Sequence, residues 1–222
     1  MKKAFCILAF CAGAAQAQMA VDLSASASVA APNDLVKVSV YVEENGENPA
    51  QLAKSINPKV SDIINLAKSK KSVRTKTGYQ RSFPIYEKNR LKAWRMRAEV
   101  ELESEDVAAM SELVGALQAK NVGVNHIQQM PSPETRKRVE MESTKKAIEE
   151  FQARAAEIAS VFKKPYRIKS LNVNQERGGG VFRSNAMLLG AAMDEAAPAA
   201  RIETGESQIS TFVSGVIEIP NH

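Results

Sequence analysis

The sequence predicts an α+β fold, in which helices pack on an antiparallel or mixed β-sheet. Apolar and polar residues alternate from Val36 to Val42, as in a strand with one buried face. A long helical pattern runs from Ser132 to Pro165, with recognisable signals at both ends. Together with the other patterns along the chain, these indicate the element order β-β-α-β-β-α-β-α-β-β.

The first elements are two strands and a helix. Leu23 to Val29 alternates apolar residues with serines, which we expect to face solvent or another subunit. A turn leads to the valine strand, and a helical pattern then extends from Leu52 to about Ser69 with Pro58 inside it. Because an internal proline removes a hydrogen bond and crowds the preceding turn, we expect a kink or an alternative helix boundary near Asn57.

The next two strands are interpreted as a wide hairpin. Alternation indicates one strand from Val73 to Tyr79 and another from Leu91 to Leu102. The residues between them, 81–90, contain Pro84 and are interpreted as the loop.

Trp94 lies in the second strand of this hairpin and has two possible roles. We favour a core position facing a helix. The alternative is an aromatic and cationic surface formed with its neighbours Arg95 and Arg97.

The second half begins with a helix that starts at Glu105 and ends near Asn121, and a strand follows from Val124 to Met130. In the long helix, Ser132 is the predicted N-cap and Pro133 the first residue. Two closing strands lie near residues 168–173 and 209–219. The buried face of the long helix is predicted to hold Ile148, Phe151, Ala155, Ile158, Ala159 and Phe162.

Residues 177–201 fit neither the helical nor the strand period and form a predicted insert. Their apolar run would be an aggregation risk if it were free in solvent, so we expect it to dock on a neighbouring subunit. The alternative is a mobile hairpin loop with a short helix folded onto its own chain. The candidate oligomer contacts are Val181, Phe182, Met187, Leu188, Leu189 and Met193.

The N-terminus has the features of a secretory signal peptide. Lys2 and Lys3 precede an apolar run, and Ala15-Gln16-Ala17 is an Ala-x-Ala cleavage signal. Residues 1–17 are therefore the predicted signal and residues 18–222 the mature domain, which implies the periplasm, with possible association to the outer membrane. A competing interpretation makes Cys11 a lipidation site, but Phe10 is too bulky for the position before it.

Composition argues against catalysis, cofactors and metals. Both cysteines, Cys6 and Cys11, lie in the predicted signal, and the histidines are His126, within a strand pattern, and His222. No serine lies in a hydrolase motif, and the glycine run 178–180 lacks the context of a phosphate loop. We therefore predict a non-enzymatic protein without a cofactor.

Charge argues against nucleic acid as a partner. Loss of two lysines with the signal lowers the formal net charge from +5 to +3, and acids and bases are interspersed. One basic cluster could meet lipid headgroups or an acidic partner at the envelope, or could be a solvated helix end favoured by the helix dipole. Its residues are Lys68, Lys70, Lys71, Arg74 and Lys76.

The chain resembles the SIMPL domain family, which includes periplasmic immunogenic proteins of Gram-negative bacteria. The resemblance covers residues 22–219 and rests on the element order, the Pro32-Asn33-Asp34 turn, the alanine-punctuated helix ending at Phe162, and Thr204-Gly205-Glu206 before the last strand. The chain departs from the family at Ala25, Ser26 and Ala27, which replace glycines that are common in the family. It also departs at Trp94, which stands where a tyrosine is usual.

The resemblance implies a periplasmic α+β domain, ring-like or channel-like oligomers, and a role in envelope or oxidative stress. The family has no agreed molecular activity. Our leading hypothesis is a protein acting through homo-oligomeric assembly, with subunit contacts at strand edges and the insert. The alternative is a monomeric binding module for a small ligand or an envelope partner.

Overall fold

The computed structural model describes residues 18–175 and 205–220 of the chain. Within these residues the element order is the predicted one, and the predicted α+β class is confirmed. The predicted signal peptide and the insert lie outside the described residues. The strands are β1 (Gln18–Pro32), β2 (Leu35–Gly46), β3 (Arg74–Glu87), β4 (Arg90–Ser104), β5 (Gly123–Met130), β6 (Arg167–Gln175) and β7 (Glu206–Pro220), and the helices are α1 (Pro49–Lys68), α2 (Val107–Gln118) and α3 (Pro133–Val161).

The described residues form two compact units. The larger comprises residues 29–139 and 205–209, and the smaller comprises residues 18–28, 140–175 and 210–220. Within residues 18–175 and 205–220, none of the helices combines the length and apolar character needed to cross a membrane.

The larger unit contains a four-stranded antiparallel sheet in the order β3-β4-β2-β5. One face packs against α1 and α2, because the inward residues of β2 and β4 are apolar and alternate with polar ones. From the two central strands the core receives Val36, Val38, Val40, Val42, Met96, Ala98, Val100 and Leu102.

α1 continues through its internal proline. Pro58 is exposed inside the helix, and no boundary occurs near Asn57, so that alternative is wrong. The buried residues Leu52 and Ile56 precede the proline, and Ile63 follows it. Because both halves pack against the same sheet, tertiary contacts hold them in one helix despite the lost hydrogen bond.

A tight hairpin replaces the predicted wide loop. Only Lys88 and Asn89 separate β3 from β4, so the interpretation of residues 81–90 as a loop is wrong. Their φ angles of 49° and 61° suit a type I′ turn, whose twist matches that of the flanking strands. Pro84 is tolerated because β3 is an edge strand among the described residues, where no other strand pairs with one side of its backbone.

The start of α3 is fixed by a carboxylate from the preceding turn. As predicted for an N-cap, the Ser132 hydroxyl accepts a hydrogen bond from the Thr135 amide at 3.2 Å. Asp34 accepts hydrogen bonds from the Ser132 amide at 2.5 Å, the Ser132 hydroxyl at 3.0 Å and the Thr135 hydroxyl at 2.5 Å. The turn before the valine strand therefore anchors a helix about a hundred residues away in sequence.

The smaller unit contains a three-stranded sheet in the order β1-β7-β6, packed against α3. Phe151 is fully buried, and a Cβ on Gly215 would lie only 3.1 Å from its ring. Alanines on the same helix face allow this close packing. The core cluster is Ala25, Ala147, Phe151, Ala155, Ala159, Val213, Ile217 and Ile219.

The predicted buried face of α3 fails at its last residue. The helix ends at Val161, and Lys163 follows with a φ of 54°. The Lys164 amide donates to the Ala159 carbonyl at 3.3 Å, as in a Schellman motif. Because the chain leaves the helical path here, Phe162 is 43% exposed, and its predicted burial is wrong.

Candidate functional site

A groove lies on the face of the four-stranded sheet that is turned away from α1 and α2. Its volume of about 730 Å³ is suited to a small molecule. The edge strand β3 supplies an apolar wall and one arginine, and the other three strands supply a charged and polar floor. We call this feature the arginine groove, and its lining residues are Glu43, Tyr79, Arg81, Phe83, Pro84, Ile85, Arg95, Arg97, Glu99 and Asn125.

A β-bulge in β3 gives the groove its wall. Gly78 and Tyr79 together lie opposite Glu99, so β3 carries one extra residue relative to β4. Because side chains alternate between faces with a period of two, one extra residue moves all that follow to the other face. The bulge therefore places Arg81 and Phe83 on the groove face instead of the helix-covered face.

A second bulge, in β5, supplies Asn125. This residue is the extra one between Val124, which pairs with Val40, and His126, which pairs with Ser39. Bulges are frequent next to functional sites, where they redirect a side chain. Here the groove is bordered by a bulged strand on each edge of the sheet.

Arg97 is held on three sides at the floor of the groove. Its Nε donates to Glu99 Oε1 at 3.1 Å and its Nη2 to Asn125 Oδ1 at 3.0 Å. Its guanidinium carbon lies 3.7 Å from the centroid of the Tyr41 ring. Gly123 leaves room for that ring, since an added Cβ would lie 2.4 Å from a ring carbon. The guanidinium is thus preorganised before any ligand binds.

The other two arginines of the groove differ in their partners. Arg95 Nε lies 3.4 Å from Glu43 Oε1 and donates to Asn45 Oδ1 at 3.3 Å. Arg81 lies over Tyr79, with 4.9 Å between the guanidinium carbon and the ring centroid. Both carboxylates of the groove are therefore engaged by Arg95 and Arg97, whereas Arg81 contacts an aromatic ring.

The groove combines side chains that can pair with an anion and side chains that can stack on an apolar group. Guanidinium groups recognise anions, exposed aromatic rings stack on flat apolar groups, and the two glutamates are held in ion pairs. Among residues 18–175 and 205–220, no three His, Cys, Asp or Glu side chains converge to hold a metal ion.

The smaller unit carries a separate ionic cluster around Glu218. Arg167 contacts this carboxylate through Nη2 at 2.5 Å and Lys169 through Nζ at 2.9 Å. Hydrogen bonds from Lys169 and then from Arg167 lower the pKa of Glu218. These ion pairs hold the start of the edge strand β6 against β7.

The predicted basic cluster is interleaved with acids. Lys70 Nζ lies 2.7 Å from Glu112 Oε2. On β3, the cluster's arginine and second lysine pair in register with acidic residues of β4, as Arg74↔Glu103 and Lys76↔Glu101. Lys68 and Lys71 are exposed, and Lys68 lies in the last turn of α1.

Edge strand β6 is exposed along its full length. Its apolar residues Ile168, Leu171 and Val173 are 38–41% exposed, and Phe212 on the neighbouring β7 is 49% exposed. The predicted insert follows β6 directly in sequence. All six of its candidate contact residues lie outside the described residues.

Trp94 and His126 take the positions favoured from sequence. Trp94 packs against the core of the larger unit, facing the helices. His126 is an exposed residue of β5.

Most of the arginine groove is not apparent from the pattern of the sequence. The interpretation of residues 81–90 as a loop gives Arg81 and Phe83 no place on a sheet face. The available signal is the spacing of Arg81, Phe83 and Ile85, which as every second residue would lie on one face of a strand. Arg95 and Arg97 were singled out, but their aromatic neighbours are tyrosine and phenylalanine side chains from other strands, not Trp94.

Comparison with known proteins gives a family but no activity. The family model SIMPL, described as a protein of unknown function (DUF541), matches residues 21–217. No curated protein matches the chain. A solved structure from Burkholderia cenocepacia, described as a candidate amidohydrolase/peptidase, is 17% identical over 48% of this chain and 28% of its own, with a TM-score of 0.26. That similarity is too low to support an argument about fold or chemistry.

Proposed function

The chain belongs to the SIMPL family, whose function is unknown, and we propose that it is a non-enzymatic periplasmic protein that acts by assembling into a homo-oligomer. In this proposal subunits meet through strand edges and the insert. A ring-like or channel-like assembly would then present its combined surface to the envelope.

The exposure of β6 is the observation that carries this proposal. An edge strand displays unpaired N–H and C=O groups and is a template for pairing with another chain unless it is short, charged or covered. β6 has nine residues, all exposed, and three of them are large and apolar. Its two cations, Arg167 and Lys169, are both paired with Glu218 of β7. The insert begins where β6 ends, so one stretch of sequence supplies both proposed contacts.

Size-exclusion chromatography with light scattering tests the assembly. The mature chain is expected to elute at a multiple of its own mass. The double variant Leu171→Lys/Val173→Lys, which puts two charges on β6, should shift the mass toward that of one chain. Deletion of residues 181–193 should also shift the mass toward that of one chain, and it removes no residue of the described strands.

A matched control distinguishes the effect of charges on the β6 edge from the effect of charges on exposed apolar residues elsewhere. Val161 and Phe162 are also exposed apolar neighbours, but they lie at the end of α3. The variant Val161→Lys/Phe162→Lys should keep the wild-type mass, and thermal unfolding should confirm that all variants are folded. A wild-type chain that is monomeric with its insert intact contradicts the proposal.

The proposal also includes a biological role, which is protection of the envelope against oxidative stress. It predicts that cells lacking the protein survive peroxide less well than cells expressing it. The β6 double variant should fail to restore survival if assembly is the working form. Full restoration by a monomeric variant would separate the stress role from assembly and contradict this part of the proposal.

A second candidate function is a monomeric binding module, and the arginine groove favours it. A monomer that retains a compound through purification, or that gains thermal stability from one, would support this candidate.

A further inference from the structure

Two arginines face each other across the strands that form the arginine groove. Arg81 pairs in register with Arg97, and like charges placed directly opposite on adjacent strands are destabilising. Glu99 offsets the charge of Arg97. Within the described residues Arg81 forms no ion pair and contacts the Tyr79 ring. One positive charge in the groove, that of Arg81, therefore has no carboxylate partner among the described residues.

The wall beside this charge is apolar and open to solvent. Tyr79 is 66% exposed and Phe83 46% exposed, and Pro84 and Ile85 extend the same wall. Exposed aromatic side chains next to a guanidinium offer a ligand two kinds of contact, stacking and a charged hydrogen bond. Both come from β3 residues that the bulge directs to this face.

We propose that the arginine groove binds a small aromatic carboxylate. The carboxylate receives hydrogen bonds from the Arg81 guanidinium beside Arg97, and the aromatic ring lies against Tyr79 and Phe83. The groove holds three arginines and two glutamates, which leaves a single net positive charge. That balance favours a ligand with one negative charge over a phosphate ester with two.

Isothermal titration of the mature chain with 1-naphthoate tests the proposal. Saturable binding with one site per chain is expected, with a dissociation constant of about 0.1–1 mM, and it should weaken as salt is added. The neutral analogue 1-naphthamide and the non-aromatic cyclohexanecarboxylate should each bind at least about tenfold more weakly. 1-Naphthyl phosphate should bind no more tightly than 1-naphthoate.

Two variants address the residues. Arg81→Gln removes the charge and keeps much of the side-chain length, and Tyr79→Ser removes the ring from an exposed position. Each should raise the dissociation constant at least about tenfold. Arg90→Gln is the matched control on the same hairpin, since Arg90 is exposed, pairs with Glu87 and lies outside the groove. It should bind as the wild type does.

Three results would overturn the proposal. They are no saturation up to about 5 mM 1-naphthoate, equal binding by Arg81→Gln, and tighter binding of the phosphate ester. The β6 double variant separates this site from assembly, because it should bind 1-naphthoate with wild-type affinity whatever its mass. A fourth contrary result would be binding by that variant with none by the wild type, because it would identify the groove as a subunit contact and not a ligand site.

Discussion

At the scale of single residues, Asp34 links a turn to a distant helix. Burial raises the pKa of its carboxyl, but the hydrogen bonds from Thr135 and Ser132 outweigh that effect and leave the pKa below its ordinary value. The carboxylate also lies where the positive end of the α3 dipole favours negative charge. Its ionised form is therefore part of what holds the start of α3.

Asp34→Asn should lower the free energy of unfolding by about 2 kcal/mol at neutral pH, because it removes the charge and puts an amide nitrogen, which cannot accept a hydrogen bond, in place of one accepting carboxylate oxygen. Urea unfolding followed by circular dichroism measures the change. Asp62→Asn is the control, since Asp62 is an exposed residue of α1, and it should change stability by less than about 0.5 kcal/mol. An equal effect of the two substitutions would contradict the role given to Asp34.

The Asp34 contribution should also depend on pH in one direction. Its pKa in the folded state lies below its ordinary value of 3.8, so the stabilisation is complete above that value and is lost as pH falls through the folded pKa. Glu44, whose pKa is lowered first by Lys59, and Glu218, whose pKa is lowered first by Lys169, act in the same direction. We therefore expect the difference in the free energy of unfolding between the wild type and Asp34→Asn, measured from pH 7 to pH 2, to become smaller only at the acidic end of that range.

Gly123 is required by the ring that supports Arg97. An alanine Cβ would lie 2.4 Å from the Tyr41 ring, whereas a Cβ on Gly115 in α2 would have no atom within 4 Å. Gly123→Ala should therefore destabilise the fold by about 1–3 kcal/mol through overpacking. Gly115→Ala should stabilise it by about 0.5–1 kcal/mol through helix propensity. Thermal unfolding of the two variants checks the opposite signs, and the same sign for both would contradict this account.

At the scale of elements, α1 contains an internal proline, and the helix continues through it because of its packing against the sheet. Pro58 is exposed, so replacing it removes no core contact. Pro58→Ala restores a helical N–H, worth about 3 kcal/mol in propensity, and loses about 1 kcal/mol of unfolded-state restriction. A net stabilisation of about 1–2 kcal/mol is expected in urea unfolding. Lys54→Ala, exposed in the same helix, should be nearly neutral, and a destabilised Pro58→Ala would show that the proline has a structural role.

Elements with an uninterrupted period were predictable, and those with local exceptions were not. The valines of β2 alternate without a break, and the sequence placed that strand correctly. The alternation in β3 changes phase at Gly78, which hid its second half. The turn at Lys88 and Asn89 lacks the glycine that usually marks a two-residue hairpin. Phe162 satisfies the helical period, but the positive φ of Lys163 ends the helix before that residue can be buried.

At the scale of the whole molecule, the arginine groove could not be predicted because it depends on strand order and register. Its lining extends in sequence from Glu43 to Asn125. These residues meet only because β2 and β4 are central in the sheet, and because a bulge on each edge strand redirects the side chains. Composition and periodicity fix which faces are apolar, whereas a bulge depends on tertiary contacts such as the close approach of Gly78 to Glu99.

Export of the chain is a prediction from the sequence, and the proposed processing site is testable. Gln18 is the first residue proposed for the mature chain, and its side chain accepts a hydrogen bond from Arg167 Nη2 at 2.9 Å. When the full sequence is expressed, mass spectrometry of the periplasmic fraction should give the mass of residues 18–222. Ala17→Leu should block cleavage, because the peptidase requires a small residue there, whereas Cys11→Ser should leave the mature mass unchanged. A lipid-modified chain beginning at Cys11 would contradict the cleavage site, and an uncleaved chain in the cytoplasm would contradict both the cleavage site and the periplasmic assignment.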